Sequence, residues 1–174
     1  MKRRRRTSHS SLTIEERHAL LQVKMRKHIE EHGCSIIGVF GTEDRPNWTY
    51  SIGIPTTVPE AAEILIYGLG PDNAGRIINL VVEQLREGRI FDLGRQYRGI
   101  LKDLPVYFGR VEDRHYDDHV GQAQDYHESS TGFPLWQLVW TDTQGRFPWQ
   151  EGFEEKFRVA QPLLFDPSVH GQES

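Results

Sequence analysis

Cysteine is nearly absent from this sequence, which has only Cys34 among its 174 residues. A single cysteine excludes a disulfide within the chain and a thiolate metal cluster, and it favours a reducing, cytoplasmic location. Cys34 opens an apolar run that ends at Phe40. This context favours a buried small side chain, with a reactive nucleophile as the alternative.

Long hydrophobic runs are also absent. No window holds the roughly 18 consecutive apolar residues that a membrane helix requires. The basic residues near the start are followed by polar residues 7–11, where a signal peptide would have an apolar stretch. The sequence therefore predicts a soluble protein without a membrane partner.

Common nucleotide-binding and hydrolase signatures are missing as well. Gly68, Gly70 and Gly75 do not form the G-x-G-x-x-G fingerprint, and the P-loop pattern does not occur. There is no G-x-S-x-G elbow of the kind that carries a hydrolase serine. Whether the protein is an enzyme stays open at the level of sequence.

The composition is that of a folded domain with an acidic body. Hydrophobic residues make up 37% and charged residues 26%, which is typical of globular proteins. The net charge is −4, although five of the 21 basic residues lie together at positions 2–6. This run is either a solvated tail or a contact for an anionic surface, and the acidic remainder disfavours specific nucleic-acid binding. We expect a flexible tail over residues 1–12, one domain over 13–165 and a second tail over 166–174.

Strand and helix patterns predict an α+β domain. Helices are expected at residues 13–32, 71–87 and 113–128. Strands are expected at residues 34–41, 48–54, 63–69, 105–111 and 135–141, the first two as a hairpin. Residues 89–104 are predicted to be an ordered loop with a short helical turn, and a final amphipathic segment is predicted to turn Phe153, Phe157, Ala160 and Leu164 inward. The sheet is expected to be largely antiparallel, with closure into a barrel-like form as an open alternative.

Three of the four tryptophans lie in one segment, at Trp136, Trp140 and Trp149. Alternation along the predicted strand places Trp136, Leu138 and Trp140 on one face and Leu135, Gln137 and Val139 on the other. Residues 142–145 are predicted to form the turn of a second hairpin. One face is expected to be packed under a helix and the other to meet a ligand.

Four blocks of sequence carry a family resemblance: Trp48-Thr-Tyr-Ser-Ile-Gly53, Glu63-Ile-Leu-Ile-Tyr-Gly-Leu69, Tyr116, and Leu138-Val-Trp140 continuing to Trp149. In these blocks the chain resembles a bacterial family known as domain of unknown function 4262, over roughly residues 30–165. Relatives often have His-Pro before the glutamate that matches Glu63, where this chain has Ala61-Ala62. Any chemistry of that histidine is thus excluded here.

A looser resemblance concerns the strands from Thr49 to Leu69. Their pattern is similar to that of the split barrels of flavin reductases and pyridoxamine-phosphate oxidases. This resemblance implies FMN as a cofactor, held in a homodimer interface. Likeness at the level of the fold does not by itself imply an activity.

A ligand pocket is predicted around Trp48, Tyr50, Gln137, Trp140 and Arg146. Trp48 and Trp140, together with Trp136, offer ring faces on which a planar ligand can stack. Gln137 lies among apolar neighbours, where a buried amide without partners costs about 1–3 kcal/mol, so it should bond either a loop backbone or a ligand. Arg146 either closes the hairpin turn with Asp142 or binds a phosphate with other loop arginines.

A metal site is a weaker prediction. His115 and His119 are four residues apart and would share one face of a helix. Zinc usually requires a third protein ligand, and the segment lacks the glutamate of an H-E-x-x-H motif. A structural role for both histidines is the alternative.

Three functions follow as hypotheses. The leading one is a domain that binds a small ligand, such as a flavin or nucleotide. The second is a non-enzymatic protein that binds a protein partner through its N-terminal helix, acidic surface and exposed aromatic residues. The third is a metal-dependent enzyme using His115 and His119.

Overall fold

A computed structural model describes residues 12–169 of the chain. The helices are α1 (Ile14–His32), α2 (Ile54–Thr57), α3 (Pro71–Arg86), α4 (Tyr116–His119), α5 (Gly121–His127) and α6 (Glu155–Ala160). The strands are β1 (Ser35–Val39), β2 (Trp48–Ile52), β3 (Glu63–Tyr67), β4 (Gln96–Tyr97), β5 (Val106–Arg110) and β6 (Leu135–Trp140). The basic run and the last residues, 170–174, lie outside the described residues.

The six strands form one sheet in the order β1-β2-β3-β6-β5-β4. Neighbouring strands are antiparallel except at the centre, where β3 and β6 run parallel with Glu63 opposite Leu135. The α+β class and the largely antiparallel sheet are thus confirmed. The barrel-like alternative is wrong, because β1 and β4 lie at opposite edges of an open sheet and do not pair with each other.

Helix α3 covers one face of the sheet. Its apolar residues recur every three or four positions, so Ala74, Ile77, Ile78, Val81 and Val82 are all buried. They belong to one apolar core with side chains of β3, β5 and β6, among them Ile66, Phe108 and Leu138. The strand predicted at 63–69 and the helix predicted at 71–87 are therefore confirmed.

The opposite face is covered by α1, α4 and α5. Helix α1 begins at a capping box, in which Thr13 and Glu16 exchange hydrogen bonds, and ends at Gly33 with φ of 91°. Only Met25 and Ile29 of this helix are buried. They join a second apolar core with β2, β3 and the residues from Val111 to Leu135.

Three local predictions differ from the structure. The helix predicted at 113–128 is a 3-10 turn followed by α4 and α5, which are separated at Val120 with φ of −133°. The predicted loop at 89–104 contains the two-residue strand β4. The turn after β6 forms, with Asp142 N bonded to the oxygen of Arg146, but none of the described residues after it pairs as a strand.

None of the helices within residues 12–169 is long and apolar enough to cross a membrane.

Candidate functional site

The five residues of the predicted ligand pocket lie in separate places. Trp140 is on the face covered by α3, whereas Trp48 and Tyr50 belong to the core on the opposite face. Arg146 lies beyond the end of β6. None of the five lines any of four well-formed cavities among the described residues.

The polar side-chain atoms of three of these residues form hydrogen bonds with backbone groups of the protein. The indole N–H of Trp48 donates to the oxygen of His119, and that of Trp140 donates to the oxygen of Tyr67, at 2.9 and 2.8 Å. The Gln137 amide donates to the Pro162 oxygen and accepts from the Leu164 N–H, both at 2.8 Å. Through these contacts Gln137 helps to attach the C-terminal segment to β6.

Arg146 closes the turn after β6. The buried carboxylate of Asp142 accepts from both the backbone N–H and the Nε of Arg146, each at 2.9 Å. Burial opposes ionisation of Asp142, but hydrogen bonds from Arg146, Gln144 and Glu154 outweigh it and lower the pKa of the carboxyl. The turn is held by this carboxylate.

His119 lies in a buried polar cluster with Tyr67 and Arg45. Its Nδ1 is 2.7 Å from the oxygen of His115, which can only accept, so Nδ1 carries the proton. Its Nε2 then accepts from Tyr67 Oη at 2.6 Å and from Arg45 Nη2 at 2.9 Å. The Arg45 guanidinium also lies 4.2 Å from the ring centroid of Trp48.

The same cluster disfavours a metal at the His115 and His119 pair. Burial, the Arg45 charge and the His115 charge lower the pKa of His119, and both of its ring nitrogens are hydrogen bonded. The guanidinium of Arg45 lies where a cation would approach Nε2. Among residues 12–169, no three His, Cys, Asp or Glu side chains are grouped as metal ligands.

Glu63 is a fully buried carboxylate at the start of β3. It accepts hydrogen bonds from Ser51 Oγ and Gly53 N at 2.6 Å and from His127 Nε2 at 2.7 Å. Ile54 N adds a longer contact of 3.4 Å. Gly53 has φ of 100°, and a Cβ there would come within 2.6 Å of Ile29, so glycine allows α1 to pack over this network.

Cys34 lies beside a broad open groove of about 1060 Å³ between α1 and α3, along the edge strand β1. Its side chain is buried, as predicted. Burial and the negative charge of Glu63 raise its pKa to about 12. The thiol is therefore protonated at neutral pH and is a poor nucleophile.

A second cavity lies on the α3 side of the sheet, where β3 and β6 begin. It has a volume of about 250 Å³ and is lined by residues 58–62, Ile64, Val81, Leu85, residues 88–91, Phe108 and Trp136. We call it the Trp136 pocket. Its lining is mostly apolar, and its two charged residues are Glu60 and Arg89.

Aromatic rings form one wall of the Trp136 pocket. The centroid of Phe108 lies 5.1 Å from that of Phe91 and 6.0 Å from that of Trp136. Among the described residues the indole N–H of Trp136 has no acceptor, unlike those of Trp48 and Trp140. The half-buried Trp136 thus lines the cavity and has an indole donor that none of the described residues accepts from.

Sequence patterns could not have assembled the Trp136 pocket. Its lining comes from a loop, three strands, the end of α3 and the residues after it, which are distant along the chain. The sequence identifies Trp136 as a ring on which a ligand can stack, but it places Trp136 in the same predicted pocket wall as Trp140. Both rings lie on the α3 face, where Trp140 is buried and only Trp136 reaches the cavity.

A family model described as "Domain of unknown function (DUF4262)" matches residues 28–154 of the chain. This range includes all six strands and every residue of the Trp136 pocket. No curated protein and no solved structure matches the chain. The looser similarity to split barrels is not confirmed.

Proposed function

The chain belongs to the DUF4262 family, and from its structure we propose that it is a domain that binds a small ligand in the Trp136 pocket. The observation that supports this most is a largely apolar cavity beside an indole N–H that no described protein group accepts. Ligand sites typically combine an apolar lining with a few polar groups of this kind. The leading hypothesis from the sequence is kept, with a different set of residues.

The size of the pocket favours a ligand smaller than FMN. Its volume of about 250 Å³ lies just below the roughly 300–1,000 Å³ common for sites of drug-sized molecules. An engineered protein cavity of about 150 Å³ holds benzene, so a substituted benzene ring is a suitable occupant. A flavin with its phosphate tail would need the 58–62 loop to move away from α3.

The experiment is a binding test with a neutral probe. We expect benzamide to give saturation-transfer NMR signals with the purified protein, and a cavity-filling Leu85→Phe variant to weaken them at least fivefold. Leu80→Phe is the matched control, since Leu80 lies on the same helix and does not line the pocket. Absence of benzamide binding, or equal binding by both variants, would refute the proposal.

A second candidate function is binding of a protein partner through α1. The observation that favours it is a pair of exposed apolar side chains, Ile14 and Leu21, which are 86% and 61% exposed and lie seven residues apart on one face of the helix. An exposed apolar patch on a soluble protein often marks a protein contact. The neighbouring groove along β1 adds surface to the same region.

Point substitutions test this candidate better than deletion of α1, because Met25 and Ile29 belong to the core. We expect an Ile14→Glu, Leu21→Glu double variant to lose a co-purifying partner while its circular dichroism is unchanged. A Val23→Glu variant is the control for added negative charge, because Val23 is exposed on another face of α1 and does not line the groove. Association that survives the double variant would argue against α1 as the contact.

A further inference from the structure

Arg89 is held in a fixed position at the rim of the Trp136 pocket. Its guanidinium carbon lies 4.9 Å from the ring centroid of Phe91 and 5.5 Å from that of Tyr97. Its Nη1 donates to the side chain of Gln84, and its Nη2 donates to the oxygen of Arg98 at 3.0 Å. The side chain is half-buried, so these contacts orient the charge before any ligand arrives.

Most of the hydrogen-bonding capacity of Arg89 is unused. A guanidinium has five N–H donors, and the described protein groups accept from two of them. Among residues 12–169, no carboxylate lies within ion-pair distance of Arg89, whereas Arg146 and Arg158 each have one. A planar, half-buried guanidinium with free donors is suited to a carboxylate, which it can bind through two parallel bonds.

Glu60 is the opposing charge in the lining and does not cancel Arg89. Glu60 is exposed and forms no ion pair with any described residue. Water and salt screen an exposed carboxylate strongly, but they screen a half-buried guanidinium less. A ligand that reaches the aromatic wall from the rim would therefore meet a net positive field at Arg89.

We propose that the Trp136 pocket takes a small aromatic carboxylate, whose ring packs against Phe91, Phe108 and Trp136 while its carboxylate pairs with Arg89. The proposal rests on the proposed function and specifies the class of ligand. The cavity volume of about 250 Å³ suits a benzoate-sized molecule. A carboxylate that enters an apolar cavity loses its hydrogen bonds to water, and the unused donors of Arg89 would replace them.

The test compares benzoate with its neutral isostere benzamide by isothermal titration calorimetry at low salt. In the unmodified protein we expect benzoate to bind about tenfold more tightly, as one charge-assisted contact provides. In Arg89→Gln the ratio of the two dissociation constants should fall to about one, with benzamide affinity retained. Arg89→Lys should restore part of the preference, because it keeps the charge but not the planar fork.

Arg95→Gln is the matched control, because Arg95 pairs with Asp92 and does not line the pocket. It should leave the ratio unchanged. Equal binding of both probes by the unmodified protein, or a preference that survives in Arg89→Gln, would overturn the carboxylate assignment while the pocket stands. Failure of benzamide itself to bind would instead count against the proposed function.

Discussion

At the scale of single residues, Glu63 is a fully buried carboxylate whose hydrogen bonds must all come from the protein. Its buried carboxylate accepts from Ser51, Gly53 and His127 within 2.7 Å, so its two oxygens face only donors. A buried charge is tolerated when its hydrogen-bonding sites are filled in this way, and it is costly when one partner is removed. Its position ties β3 to β2, α2 and the end of α5.

Glu63→Gln should destabilise the protein by about 3 kcal/mol, because the amide NH₂ would face at least one donor. The measurement is the free energy of unfolding in urea at pH 7. Glu151→Gln is the control, since Glu151 is exposed and forms no ion pair among the described residues. A loss in Glu63→Gln no larger than in the control would contradict this description of the network.

His119 makes the folded state sensitive to acid. Burial and the nearby Arg45 charge lower its pKa in the folded protein from the ordinary value of 6.5. The unfolded chain therefore binds this proton more readily, and the free energy of unfolding rises with pH between the folded pKa and 6.5. Protonation would also place an N–H against Arg45 and Tyr67, whose own protons occupy the Nε2 lone pair.

We therefore expect the contribution of His119 to the free energy of unfolding to be fully present above pH 6.5 and to be lost as the pH falls below it. Urea unfolding at pH 7.5 and pH 5 measures the difference. His119→Gln keeps an acceptor for Arg45 and Tyr67 but does not titrate, so its stability should change less between the two values. His18→Gln is an exposed control, and an equal pH effect in His119→Gln and the unmodified protein would exclude His119 as the source.

The need of a buried side chain for hydrogen bonds can be predicted from the sequence more easily than the groups that form those bonds. The pattern of β6 showed that Gln137 would be buried and would need hydrogen bonds, and it divided Trp136 and Trp140 from Gln137 correctly. It could not show that Pro162 and Leu164 supply those bonds, because that choice depends on where the chain returns 25 residues later. A buried polar residue in the sequence indicates that hydrogen bonds are required, but the tertiary fold determines which groups provide them.

At the scale of elements, two glutamines fasten the C-terminal segment to β6. Gln137 bonds Pro162 and Leu164, and Gln161 bonds both the N–H and the oxygen of Trp140. The segment has no strand pairing of its own. These side-chain bonds take the place of the ladder that the predicted second hairpin would have provided.

Gln137→Leu should cost about 1–3 kcal/mol, since it leaves the Leu164 N–H and the Pro162 oxygen without their partners. Hydrogen exchange, measured by mass spectrometry, should be faster at residues 161–165 in the variant than in the unmodified protein. The increase at β6 should be smaller. Gln144→Leu is the control, because the exposed Gln144 side chain makes no hydrogen bond to described residues. Unchanged exchange in Gln137→Leu would show that the segment is held in another way.

The elements themselves were predicted to different degrees. Helices α1 and α3 lie within one residue of the predicted ends, because capping residues and a helical period of apolar residues mark them. The break at Val120 was not predicted, since residues 113–128 contain no proline or internal apolar period that would mark it. Strand β4 has only two residues and was too short to give an alternating pattern.

At the scale of the whole molecule, the sheet consists of two antiparallel halves joined at one place. Strands β1 to β3 form one half and β4 to β6 the other, and the parallel pairing of β3 with β6 connects them. The mostly apolar sequence of β3 is typical of a central strand, and every residue from Glu63 to Tyr67 is buried in the structure. It could not identify β6 as the neighbour, since 67 residues separate Tyr67 from Leu135 in the chain and no local pattern records pairing.

The central position of β3 predicts that both cores unfold together. Leu65 and Ile66 are adjacent, fully buried, and belong to the cores on opposite faces. Leu65→Ala and Ile66→Ala should each cost about 2–5 kcal/mol and should each shift one shared transition, followed by far-UV circular dichroism and by tryptophan fluorescence. Trp48 reports on one face and Trp136 on the other, so separate fluorescence and dichroism midpoints in either variant would show that the two faces are independent.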